Sequence, residues 1–123
     1  MLYTTLQSMN PLKSGTLDLA LLAALEDQPR YGLDILAHVN TRSGGLFEMK
    51  EGSLYPALAR LVKAGWVETE WQPSDRGGAP RKFYRLTDDG RGALTEKKQE
   101  WRTLRGALDA LLVTRLLPKP GRA

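Results

Sequence analysis

At 123 residues, with a hydrophobic fraction of 41% and no cysteine, the chain has the size of one compact domain and excludes structural disulfides and cysteine-ligated zinc. Its net charge of +4 is uneven: residues 50–85 carry seven Lys/Arg against four Asp/Glu, residues 115–123 three against none, and residues 1–49 three against five. Any basic chain must put its charges somewhere, but cations clustered in this way are the footprint of a polyanionic partner.

Residues 1–13 are poorly patterned and read as an N-terminal arm or a short helix. They lack a cationic start followed by an apolar run, so no secretory signal is expected. The run Leu17 to Leu25 is broken by Asp18 and is too short to span a bilayer. With no cysteine, the expected compartment is the reducing cytoplasm. A first helix is predicted from Leu17, Leu21, Leu22 and Leu25, with Ser14 or Thr16 as its cap and Gln28-Pro29 as its end. A second starts near Tyr31, buries Tyr31, Ile35, Leu36 and Val39, and stops at Gly44-Gly45. Residues 46–50 alternate, as a short strand or an extended lead-in would.

A third helix buries Leu54, Leu58, Leu61 and Val62 and ends at Gly65. Its other face shows Ser53, Tyr55, Pro56, Arg60 and Lys63, and Pro56 predicts an irregular first turn. Residues 66–71 and 81–86 alternate as strands, joined by a loop from Pro73 to Pro80 around Gly77-Gly78. In the second strand this alternation sets Arg81, Phe83 and Arg85 against Lys82 and Tyr84, and Phe83 is assigned to the core. Thr87-Asp88-Asp89-Gly90 caps a long helix running from about Asp89 to Leu117, and Pro118 to Ala123 form a tail. Leu94, Trp101, Leu104, Leu108 and Leu111 make a heptad-like seam, broadened by Leu112 and interrupted at Lys97. Either a symmetric partner helix covers this seam or the helix folds back on its own domain.

Helix, strand, glycine-rich basic turn, strand, helix is the order of a winged helix. The fold expected is therefore mainly α with a small β-hairpin: a winged helix-turn-helix over residues 14–88 and a long dimerisation helix over residues 89–117, flanked by the arm and by a tail over residues 118–123. Tyr31-Gly32-Leu33-Asp34-Ile35, Glu51-Gly52-Ser53-Leu54-Tyr55-Pro56-Ala57-Leu58, Arg60-Leu61, Gly65-Trp66-Val67, Gly77-Gly78, Arg81 to Thr87, Gly90-Arg91 and Glu100-Trp101 follow one another over roughly residues 14–112. In that order and spacing the chain resembles the PadR family of winged-helix transcriptional regulators, in its shorter subtype with a single C-terminal helix. Ala79-Pro80, inserted before Arg81-Lys82, departs from the pattern and alters the wing tip. The resemblance implies a homodimer that acts mainly as a repressor, in many members released by small aromatic or amphipathic compounds.

The DNA-contact candidates are Thr16, Tyr31, Gly32, Ser53, Tyr55, Pro56, Arg60, Arg76, Gly77, Gly78, Arg81, Lys82 and Tyr84. Hydroxyls and a free amide at a helix start suit phosphate, although Tyr31 is equally a half-buried anchor. Tyr55 reads bases or sugar, or covers the helix start. The wing cations supply counterion release, or only hairpin solubility. Trp101 is the effector candidate, since two indoles facing across a dyad sandwich a flat molecule or simply pack. Leu94, Trp101, Leu104, Leu108, Leu111 and Leu112 form the expected dimer interface. No catalytic set, cofactor loop or metal site is expected: His38 stands alone, and Asp88-Asp89 are explained by capping. The rival readings are a winged-helix protein-interaction module without DNA binding, and a dimer that sequesters small molecules.

Overall fold

The computed structural model describes residues 15–74 and 77–113. The arm, Ser14 as a cap, Arg76 and the tail lie outside the described residues, and the long helix expected to reach Leu117 ends at Leu112, where the backbone of Val113 is extended. The elements are α1 (Gly15–Ala24), β1 (Arg30–Tyr31), α2 (Gly32–Arg42), α3 (Glu51–Lys63), β2 (Val67–Gln72), β3 (Arg81–Leu86) and α4 (Asp88–Leu112).

Leucines at helical spacing on α1 and α3 meet the apolar stripe of α2. Leu21, Leu22, Leu25, Ile35, Leu54, Leu58 and Leu61 are all but fully buried, and Val67, Tyr84, Leu86 and Leu94 close the core from the sheet side and from α4. Val62, expected inside, lies on the exposed side of α3. The first helix stops at Ala24, short of Gln28-Pro29. Its last turn tightens into short-range bonds from Leu25 N to the Leu22 carbonyl and from Glu26 N to the Ala23 carbonyl. Arg30 Nε then donates to the Ala24 carbonyl at 2.8 Å. That carbonyl would otherwise need the amide of a longer helix, so the buried guanidinium ends α1 before the proline does.

Arg30 also reaches Asp27 at 3.2 Å and Asp34 at 3.3 Å, and its own backbone forms β1. This third strand, absent from the sequence reading, turns the hairpin into an antiparallel sheet of order β1-β3-β2. Arg30 pairs with Tyr84 and Tyr31 with Phe83. The alternating segment before α3 is an extended lead-in. Met49 is held there by Asn40, which accepts from its N–H at 2.7 Å and donates to its carbonyl at 2.9 Å.

In β3 the alternation is as read from sequence, but the buried face is the other one. Tyr84 and Leu86 are core residues, while Phe83 is half-buried on the outer face with its ring edge against Tyr31 at 5.6 Å. Register explains the choice: Val67 sits opposite Leu86 and Thr69 opposite Tyr84, so the buried Val67 fixes which side faces α3. Phe83 as a core residue is thereby corrected, and Tyr84, counted as a DNA contact, is only 6% exposed.

The hairpin hands over to α4 through a tight junction. Thr87 donates its N–H to the Trp66 carbonyl at 3.1 Å and its hydroxyl to the Gly65 carbonyl at 2.6 Å, and the same hydroxyl accepts from Gly90 N at 2.9 Å. The first half of α4 is tied to the domain. Leu94 is 3% exposed, Lys98 bridges Glu26 at 2.8 Å and Lys97 lies 5.3 Å from the Trp66 ring centroid. Leu94 therefore belongs to the core of its own chain and not to the seam, and Lys97 is an anchor to the domain and not a break in that seam. From Gln99 to Val113 every residue is exposed.

Candidate nucleic-acid interface

The exposed face of α3 carries Ser53, Tyr55, Pro56, Arg60 and Lys63, opposite the buried Leu54, Ala57, Leu58 and Leu61. Glu51 in its first turn suits the helix dipole. Pro56 is accommodated inside the helix, and the irregular start appears as a doubled acceptance at the Lys50 carbonyl, which takes both Ser53 N and Leu54 N at 3.0 Å. Pro56 has no N–H to give to the Gly52 carbonyl four residues back, and Gly52 has no side chain to crowd the ring.

Tyr31, Gly32 and Tyr55 come together. A β-carbon on Gly32 would lie 2.5 Å from the Tyr55 hydroxyl and 2.7–2.9 Å from its ring, so the glycine makes room for the phenol to lie across the start of α2. Sequence reasoning gave Gly32 an amide role; the structure gives it a steric one. Tyr55 is 40% exposed, enough to present one ring face outward.

The wing tip turns at Gly77 and Gly78, whose φ values of 75° and 87° lie where side chains are disfavoured. Arg81 stacks over Tyr31 with its guanidinium carbon 4.5 Å from the ring centroid, and Lys82 lies 5.9 Å from the Trp71 centroid and 5.8 Å from that of Tyr84. Among the described residues, no carboxylate bridges either cation, whereas Arg85 on the outer face is matched by Glu68 and Glu70. Arg60 is likewise paired, with Asp18 of α1 at 3.0 Å, and its charge serves first to hold α3 to α1. Thr16, half-exposed in the same turn as Asp18, stands beside that bridge in sequence and makes no part of the groove between wing and α3.

That groove is lined by Tyr31, Gly32, Leu33, Tyr55, Trp71, Arg81, Lys82 and Tyr84. Burial, and then the neighbouring Tyr55, push the Tyr84 phenol above its ordinary pKa, so it keeps its proton. Two members escaped the sequence reading. Trp71 is 65% exposed and Leu33 is 50% exposed, and both had been passed over as ordinary strand and helix residues. The readable signal was that Trp71 shares a strand face with Lys82 once the hairpin register is drawn. On α4, Trp101, Leu104, Leu108, Leu111 and Leu112 form an uncovered apolar stripe.

No described helix is long and apolar enough to cross a membrane. Among known proteins, the chain is 32% identical over 98 residues to an uncharacterised protein of Lysinibacillus sphaericus, covering 80% of this chain and 89% of that one. A PadR-like transcriptional regulator of Bacillus cereus superposes with a TM-score of 0.75 at 31% identity, over 85% of this chain and 98% of that one. A PadR family regulator of Eggerthella lenta does so with a TM-score of 0.70 at 30% identity, over 94% and 99%. Residues 21–96, from the core of α1 through the first half of α4, match the family described as the transcriptional regulator PadR-like family. The chain belongs to that family, and is a winged-helix transcriptional regulator and not an enzyme.

Proposed function

We propose that the chain is a cytoplasmic, sequence-specific DNA-binding repressor that works as a homodimer on a near-palindromic operator. The observation that carries this reading is the groove at which Tyr55, from the polar face of α3, meets the wing residues Arg81 and Lys82, two cations from opposite faces of β3 that no described carboxylate neutralises. In this reading Ser53, Tyr55 and Pro56 enter the major groove. Arg81 and Lys82, with Arg76 and the Gly77-Gly78 turn, meet the flanking backbone. Tyr31 and Gly32 support the Tyr55 ring. Arg60 reaches phosphate only where Asp18 shares it.

Two copies would pair through the exposed stripe of α4, setting the two recognition helices about one helical turn, roughly 34–36 Å, apart. Trp101, the largest side chain of the stripe, is the candidate effector contact at the dyad, where a flat aromatic ligand would change the angle between the paired helices. The testing experiment is a footprint of the purified protein on DNA upstream of its own coding region. Two protected half-sites one turn apart, with a dyad in sequence, are expected. Uniform weak protection that vanishes equally on all sequences would remove sequence-specific regulation from the account.

A further inference from the structure

Trp71 is the most exposed of the three tryptophans, at 65%, and the core has no use for it. It lies near the end of β2, while Val67 and Leu86 at the other end of the hairpin already close the interior. Register sets Trp71 opposite Lys82, with Thr69 and Tyr84 next along the same face, and leaves Arg81 on the other face over Tyr31. On that shared face the indole lines the groove whose far wall is Tyr55 of α3 and Leu33 of α2. The Lys82 ammonium stands between the two wing rings, 5.9 Å from the Trp71 centroid and 5.8 Å from that of Tyr84, and no described carboxylate bridges it. Among the described residues, none accepts a hydrogen bond from the Trp71 indole N–H. The wing wall thus offers a cation, a neutral N–H donor and a flat apolar ring side by side.

A strand of duplex DNA has the matching chemistry. With α3 in the major groove and the wing tip at the flank, the sugar-phosphate strand that borders the major groove passes between them. Each of its nucleotides presents a phosphate anion and the C–H face of a deoxyribose. We propose that Trp71 is a DNA-backbone contact: its N–H donates to a phosphate oxygen, its ring packs on the adjacent deoxyribose, and Lys82 meets the charge of the same strand. Such a contact fixes the register of the protein on the duplex and carries no base information. The proposal rests on the DNA-binding reading above, and not on the repression, operator or dimer in it.

The test measures the affinity of the intact protein for two short duplexes of unrelated sequence across a salt series. Trp71→Ala, first checked for a folded spectrum, should bind both at least about tenfold more weakly at every salt concentration. Its plot of log K against log salt should keep the wild-type slope, because a neutral donor and a ring release no counterions. Trp71→Phe keeps a ring and loses the N–H, and should fall between alanine and wild type. In nitrogen-proton NMR spectra of the wild type, the indole signal that Trp71→Phe removes should shift on adding either duplex. Wild-type affinity in Trp71→Ala, or a loss confined to one of the two sequences, would overturn the proposal. So would a slope flattened by about one unit, which would mean that Trp71 acts only by holding Lys82 in place. Failure to find an operator would remove sequence-specific regulation and leave this result standing, whereas a wild type that binds neither duplex would overturn both.

Discussion

Gly32 and Gly90 look alike in sequence, each opening a helix, yet they meet different neighbours. A β-carbon at Gly90 would lie 1.9 Å from the Trp66 carbonyl oxygen, which is backbone held by the Thr87 N–H and cannot swing aside. Gly90→Ala should therefore cost about 1–3 kcal/mol of stability, read as a lower denaturant midpoint at unchanged slope. At Gly32 the obstacle is the Tyr55 phenol, the far end of a side chain that can rotate into solvent. Gly32→Ala should leave the unfolding midpoint nearly as it was, yet weaken operator binding on the order of tenfold, in step with Tyr55→Ala at about 1–3 kcal/mol. Full operator affinity in both variants would take Tyr55 out of the recognition set. Neither contact was legible in the sequence, because a glycine declares its freedom but not the atom that uses the space. Arg30 was missed for a related reason. One arginine between Asp27 and Asp34 reads as a surface pair until the Ala24 carbonyl places its guanidinium in the interior.

Among the elements, the apolar periods of α2 and α3 were readable because burial repeats along each helix, and that of α4 because its leucines recur at heptad spacing although most of them are exposed. β1 was not, since two residues carry no period and their pairing with β3 is a property of the sheet. The wing was legible as a hairpin but ambiguous in phase. Alternation gives two faces, and only Val67 opposite Leu86 decides which is inside. That phase puts Lys82 with Trp71 on the groove side and Arg85 with its glutamates on the other, so the wing's useful charge is smaller than its cation count. Changing Arg81 and Lys82 together to alanine should weaken DNA binding across all sequences and flatten the plot of log K against log salt by up to about 2 units. Arg85→Ala should change that slope far less, because Glu68 and Glu70 already neutralise it. If the two variants altered the slope equally, the cations would be acting through net charge and not through position.

At the scale of the whole molecule the decisive fact is that α4 is two helices in one. Its first half is anchored by Leu94, Lys97 and Lys98, and its second half, from Gln99 onward, touches nothing that buries it. An unsupported helical stretch of that length is marginal in water, since fewer than about 12–15 residues rarely hold a helix alone. Yet the stretch carries Trp101, Leu104, Leu108, Leu111 and Leu112, with 43–75% of each exposed. The sequence read this seam correctly as a stripe, but started it too early at Leu94, because heptad spacing is blind to the point where a helix leaves its own core. Leu108→Glu separates the alternatives. In a monomer Leu108 already faces solvent, so glutamate there should be nearly neutral, within about 0.5 kcal/mol. In a dimer it would bury two unpaired carboxylates face to face, each costing several kcal/mol. We expect sedimentation of Leu108→Glu to show monomers, with a loss of helical circular dichroism as the second half of α4 frays and a winged-helix core that still unfolds cooperatively. Operator affinity should fall steeply because two linked half-sites become one. A dimer of undiminished stability in this variant would mean that the stripe is covered by something other than a second copy of itself.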